Sequence, residues 1–304
     1  ISHCEQAGIA GSLGAVFSRI TGNTIHDIHV ERLFTGAEMA GIKIHAAIDT
    51  EISHNRIFRT ILGIWLDWMA QGARLTGNLL HDNINQDLFV EVNHGPFLVD
   101  NNLFLSDWAL FDMSQGGAYV HNLMAGRIVW RPELGRATPY HKAHSTGVAG
   151  LINIEGGDNR FFNNLFAGHN GLAEYDKAPR PVFADGNVYV HGAKPYREEE
   201  DALVSRCFDP GPRLSEEDGV VYLHLTADPA WRGERARKLV TTEVLGEAAA
   251  PALPYVNPDQ SPVRIDTDYA GAQRDADNPF PGPLEAAGSA GGAIRVWPKG
   301  GGAP

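Results

Sequence analysis

An asparagine followed by an aliphatic residue returns along this chain at a nearly fixed interval. That periodicity restricts the fold more than any other feature. It reads GNTI at Asn23, HNRIF at Asn55, GNLLH at Asn78, NNLF at Asn102, HNLM at Asn122, NNLF at Asn164 and GNVYV at Asn187. Most intervals fall between 20 and 24 residues; those of 32 and 42 read as one period plus an inserted loop, the larger being WRPELGRATPYHKAHSTG over 130–147. Each period holds two or three short apolar or alternating runs separated by Gly, Asn and Asp. Such runs are too short for helices of about 11–12 residues and suit strands of about 5–6. Short strands on a fixed period predict an all-β fold, a right-handed parallel β-helix with coils of about 20–24 residues. Leucine-rich repeats have similar lengths, but their Leu-x-x-Leu-x-Leu pattern is absent. The recurring Asn then stacks at a tight turn, where its side chains bond to one another and tolerate left-handed backbone. The adjacent His54, His81 and His121 read as solvated turn positions.

After Asn187 the period fades into a charged stretch and then two strand-like runs. The 304 residues therefore divide into a parallel β-helix over 1–215 and a C-terminal extension over 216–304 that packs on it as an irregular cap. Solenoids need such covering, because an open coil end exposes strand edges. The formal net charge of −12 argues against nucleic acid or an anionic membrane as partner and fits a neutral ligand. Cys4 and Cys207 lie far apart without metal-ligand spacing, so neither a disulfide framework nor a zinc site is expected. No apolar run is long enough to span a membrane. The chain opens at Ile1 inside a repeat, so further N-terminal coils are expected before it. With no leader visible, a cytoplasmic location is slightly favoured, and a homo-oligomer stays open.

Stacking gives the acids of two successive periods a common place. GIWLDWMAQGARLTGNLL carries Asp67 between Trp65 and Trp68, and DLFVEVNHGPFLVDNNLF carries Glu91 at the equivalent position. Both lie 11 residues before a recurring Asn, so they share one row of adjacent coils. Residues one coil apart are about 4.8 Å from each other. With Leu66, Val90 and Val92 pointing inward, both carboxylates point out on one face. In the coil before, Ile42 and Ile44 point inward and Lys43 and His45 outward, placing His45 beside Asp67. Asp112 and Trp108 join the row with a one-residue adjustment, and beyond the long insertion Asn153 and Glu155 point outward. A row of acids is either a solvated polar face or a reacting pair; the aromatic flanks favour the pair. Retaining glycosidases need carboxyl groups about 5–5.5 Å apart, with one ionised nucleophile and one protonated acid. Trp65, Trp68, Trp108 and Trp130 are candidate sugar platforms, with packing the alternative for each. His45, Asn93 and His94 are candidate hydroxyl binders, joined by Asp112 and Glu155. Asp87 reads as a turn residue. His141 and His144 read as loop residues lining the cleft, since two His without a third ligand make a weak metal signal.

At GIWLDWMAQGARLTGNLLHDN, QDLFVEVNHGPFLVDNNLFLS and VRIDTDYAGAQRDADNPFPGPLE the chain resembles the β-xylosidases of glycoside hydrolase family 120. The likeness runs from GIAGSLGAVFSRITGN through the last of these motifs. It implies a right-handed parallel β-helix with an added β-sandwich, and retaining hydrolysis of β-1,4-xylo-oligosaccharides. It also implies a nucleophile at Asp67 and an acid/base at Glu91. No metal or organic cofactor is implied, and the expected partner is a small oligosaccharide. Family members are much longer, and neither their N-terminal coils nor a sandwich is visible here. Two alternatives remain at this level: a polysaccharide lyase or polygalacturonase acting on pectic substrates, and a non-catalytic carbohydrate-binding solenoid.

Overall fold

The computed structural model describes residues 1–13, 15–33, 36, 38–285 and 292–298. The remaining parts of the expected extension, 286–291 and 299–304, lie outside the described residues. Among the described residues the chain is all-β, with three parallel sheets of nine, six and seven strands. Helix is confined to one-turn pieces such as Ala230–Glu234 and Thr242–Leu245.

The chain visits the three sheets in turn. Arg56–Thr60 lies in the first sheet, Ile64–Asp67 in the second and Arg74–Thr76 in the third. Leu79–His81 then returns to the first sheet and pairs in parallel with Arg56–Thr60. Each circuit therefore lies on the one before. Alternation sends Ile42, Ile64, Leu66, Leu88, Val90 and Leu110 into a shared interior, each at most 1% exposed. Deeper along the chain this interior becomes aromatic, with Tyr119 stacked on Phe161 and Phe166 on Tyr189.

The recurring Asn residues form a ladder at the corner leading into the first sheet. Asn55 donates through Nδ2 to Asn78 Oδ1, Asn78 to Asn102, Asn102 to Asn122, Asn122 to Asn164 and Asn164 to Asn187, all near 3.0 Å. Each Oδ1 also accepts the backbone N–H of the preceding rung. Each side chain thus satisfies backbone groups that the corner leaves without sheet partners. The neighbouring histidines differ from expectation. His54 is exposed, but His81 and His121 are buried. His81 takes an N–H from Arg56, and His121 lies between Asn163 and Gly282. The C-terminal segments cover those positions, which a local reading of the turns does not foresee.

The long interval between Asn122 and Asn164 is an antiparallel hairpin, Glu133–His141 with Val148–Ile154, that leaves the second sheet after Arg127–Trp130. Beyond Leu203–Ser205 the parallel pairing ends. Arg213–Glu217, Val220–His224 and Ala293–Trp297 make a small antiparallel sheet. Its Val221 and Leu223, with Trp231 and Phe280, pack on Leu79, Leu103 and Leu123 of the first sheet. Val240, Leu245, Tyr255 and Ile265 cover Leu98, Ala118 and Val120 of the third. The second sheet carries the hairpin instead, and the two acids lie there.

Candidate active site

Asp67 and Glu91 end adjacent strands of the second sheet and are direct Cα partners; His45 is the partner of Asp67 on the other side. The row His45, Asp67, Glu91 therefore follows from register, with a separation of about 4.8 Å between neighbouring strands. After Asp67 the chain turns sharply through two left-handed residues, Trp68 (φ 39°) and Met69 (φ 65°). Positive φ recurs at the turns of this chain, at Val92 in the next circuit among others, so here it marks the corner.

Asp67 is 3% exposed. Its Oδ2 lies 2.6 Å from Lys43 Nζ and 2.6 Å from His45 Nε2. Lys43 is fully buried, lies 4.6 Å from the Trp65 ring centre and also meets Glu38 Oε1 at 2.6 Å. Among the described residues, Asp67 Oδ1 is buried with no hydrogen-bond donor. Glu38, His45 and Asp67 could converge on a cation, but the Lys43 ammonium already stands between the two carboxylates.

Glu91 is held at both oxygens. Trp65 Nε1 donates to Oε2 at 3.1 Å, and the Arg136 guanidinium to Oε1 at 2.6 Å. Arg136 also lies 4.7 Å over the Trp68 ring. Burial pushes the Glu91 pKa up, Arg136 opposes that, and the neighbouring Asp67 charge raises it further; the net direction is upward. Two carboxyl groups in adjacent rungs thus differ in environment. Asp67 lies between an ammonium and an imidazole, whereas for Glu91 burial and the neighbouring carboxylate outweigh its one guanidinium and favour holding a proton.

Several expected binders have other employment. Asn93 is fully buried; its Oδ1 accepts from Ala70 N, and its Nδ2 donates to Leu66 O and Ser114 Oγ. It is a rung at the next corner. His94 is also buried, bonded to Thr138 O and to the Gln115 side chain. Asp112 does not join the acid row: it pairs with Val90, so it points into the interior. There it accepts from Tyr175 Oη, Asn159 Nδ2 and Ser114 N, and burial pushes its pKa up to about 7. Met113 takes the position beside Glu91. Trp130, one circuit beyond Asp112, shares that inward column and packs on Tyr175. Trp108 pairs with Gln86, away from the acids, and stands under Arg127. Glu155 is paired with Arg180 at 2.8 Å. Asp87 is not a turn residue but a buried acceptor for Asn83 and Ser106, its pKa raised to about 6 by burial. His141 is buried and bonded to Thr146 O; His144 is paired with Asp49 at 3.0 Å.

Lys43, His45 and Asp67 do point away from the interior, but Lys43 and Asp67 are nearly closed off from solvent. Arg136 was missed because it lies in the non-periodic insertion, where register assigns no neighbours. Glu38 was missed for the same reason, preceding its strand. Lys43 was placed on the right face but without its partners.

Two cavities, of about 180 Å³ and 240 Å³, adjoin on the third sheet between Gly72, Pro96 and the Val256 segment; neither touches Asp67 or Glu91. The site is therefore defined by its charges and register, not by either of these hollows.

No protein-family model matches the chain, and no curated protein does. Among solved structures it is similar to that of XylC in complex with xylose, with 39% sequence identity and a TM-score of 0.90. The match covers 98% of this chain and 51% of the XylC chain. The chain thus spans about half the length of the protein it resembles.

Proposed function

We propose that this chain carries the reacting site of a retaining glycoside hydrolase, an exo-acting β-xylosidase that releases xylose from β-1,4-xylo-oligosaccharides. The observation that carries this reading is the direct pairing of Asp67 with Glu91 on adjacent strands. Neighbouring strands lie about 4.8 Å apart, close to the roughly 5–5.5 Å that double displacement uses. The likeness to XylC in its xylose complex supports the choice of sugar. In the same reading the three sheets are the faces of a right-handed parallel β-helix, the hand that parallel crossovers favour. The later residues form its C-terminal extension, the expected division at 215/216 falling within the Arg213–Glu217 strand.

In the first step Glu91 gives its proton to the glycosidic oxygen as Asp67 Oδ1 bonds to the anomeric carbon. The carbon–oxygen bond breaks with its electron pair on the leaving alcohol. In the second step Glu91, now a carboxylate, takes a proton from water. The water oxygen bonds to the anomeric carbon and the Asp67 ester breaks, returning the carboxylate. Lys43 and His45 bind only Oδ2, which leaves Oδ1 as the attacking atom. The upward shift of Glu91 keeps its proton to higher pH than an ordinary glutamate, as an acid needs. A polyuronide-acting enzyme would want cations free for substrate carboxylates. Lys43 and Arg136 are both taken by protein carboxylates, which disfavours that alternative.

Asp67→Ala should lose turnover of an aryl β-xyloside and, with azide present, form the α-xylosyl azide. Glu91→Ala with azide should give the β-azide. Failure of the first variant to form any azide while the second forms it would remove Asp67 from the role of nucleophile.

A further inference from the structure

Arg136 reaches Glu91 from a hairpin that stands outside the repeat, and the hairpin is fixed to the circuits at three buried points. Gln71 donates to His141 O and accepts from His141 N, both at 3.0 Å. His94 Nε2 meets Thr138 O at 2.9 Å, while its Nδ1 faces the Gln115 amide at 3.0 Å. The amide can only donate to that nitrogen, so Nε2 carries the hydrogen and donates to Thr138. His144 pairs with Asp49, which is itself buried. Thr138 and His141 are two and five residues from Arg136, so these anchors fix where the guanidinium can go. Its face on Trp68 then leaves one edge for Glu91 Oε1.

We propose that Arg136 is a positioning residue that acts through Glu91. It holds the carboxylate in the orientation and charge state needed to activate water in the second step of the double displacement.

This rests on the retaining reading above. The charged and titratable groups around Glu91 are few. From the Ile64–Asp67 strand it meets Asp67, with Lys43, His45 and Glu38 behind that carboxylate. From the Trp108–Met113 strand it meets the uncharged Met113; Arg131 on that side stands over Phe111. From the hairpin it meets Arg136. Burial first, and then the neighbouring Asp67 carboxylate, oppose a charge on Glu91, and Arg136 works against both. Once Asp67 is an ester its charge is gone, burial stays, and Arg136 remains as the charge in contact with Glu91. The same guanidinium therefore meets less opposition in the second step than in the first. Sequence reasoning gives no hint of this, because the charge comes from a segment without register.

The test is a pair of pH profiles on the intact protein, for wild type, R136Q, R136K and E91Q. One uses a poor leaving group, where forming the ester limits kcat/KM. The other uses dinitrophenyl β-xyloside, where breaking it limits kcat. Removing the cation raises the affinity of Glu91 for its proton in both states. In R136Q the alkaline limb of kcat/KM and the acidic limb of kcat should each move up by about 1 pH unit. On that acidic limb kcat should fall roughly tenfold at fixed pH, with KM falling in parallel as the ester accumulates. R136K should keep both limbs near their wild-type places, and its folding controls for loss of structure. Lowered rates with both limbs unmoved in R136Q would overturn the proposal, as would R136K shifting as far as R136Q. E91Q separates the two layers. An alkaline limb that survives in E91Q contradicts Glu91 as the acid. A limb that vanishes in E91Q yet stays in place in R136Q contradicts Arg136 alone.

Discussion

Two aspartates two strands apart show how little residue type says by itself. Asp67 and Asp112 flank the circuit of Glu91 and lie on opposite sides of the backbone, because Asp112 pairs with Val90 and Asp67 with Glu91. The first lies among cations; the second lies among neutral donors in the interior, with its pKa raised to about 7. A folded-state pKa above the unfolded value of 3.8 means that Asp112 favours the fold most when protonated. That contribution is complete below the unfolded pKa and is lost as pH rises through about 7. The stability of wild type relative to Asp112→Asn should therefore decline between pH about 4 and about 7, by about 4 kcal/mol. Urea unfolding of both proteins across that range measures it, and parallel curves would refute it. Activity should respond differently, since Asp112 has no place in the acid row. Asp67 and Glu91 also differ in their partners: Lys43 and His45 contact the first, Trp65 and Arg136 the second.

At the scale of elements the Asn ladder and the hairpin behave in opposite ways. Asn102 sits in the middle of the ladder and is fully buried. Its Oδ1 accepts from Asn78 N and Nδ2, and its Nδ2 donates to Leu75 O, Asp100 O and Asn122 Oδ1. Asn102→Ala should destabilise by about 3–5 kcal/mol, because it strands several buried polar groups at once. Asn23, at the half-exposed end of the ladder, should cost less than about 1 kcal/mol on the same change, water replacing what is lost. Equal losses in urea unfolding would contradict the ladder as the stabilising unit. Both residues advertise themselves in sequence, since stacking converts a spatial row into a period. That is why the strands, the ladder and the pairing of Asp67 with Glu91 were legible before any coordinates. The hairpin was legible only as an interruption. Its contacts depend on how Glu133–His141 folds back over the second sheet, and nothing periodic encodes that. Asn93 and His94 misled because both lie past Val92, where the chain already turns and strand alternation no longer assigns a face. Trp108 and Asp112 were misplaced because the interval there is shorter, which shifts the register against the row.

Over the whole molecule, the three sheets receive different cover, and that difference locates the site. Apolar residues of the C-terminal segments close the outer faces of the first and third sheets. The second sheet turns its polar row toward a hairpin that contributes a cation instead. The parallel sheets place the two carboxyl groups on paired strands, and the insertion brings Arg136 against one of them. The central claim is that Asp67 and Glu91 act by double displacement on a β-xyloside. The most direct measurement is proton NMR of the first sugar released from an aryl β-xyloside, before mutarotation. The β-anomer of xylose should appear first, with the α-anomer growing later; initial release of the α-anomer would contradict the account.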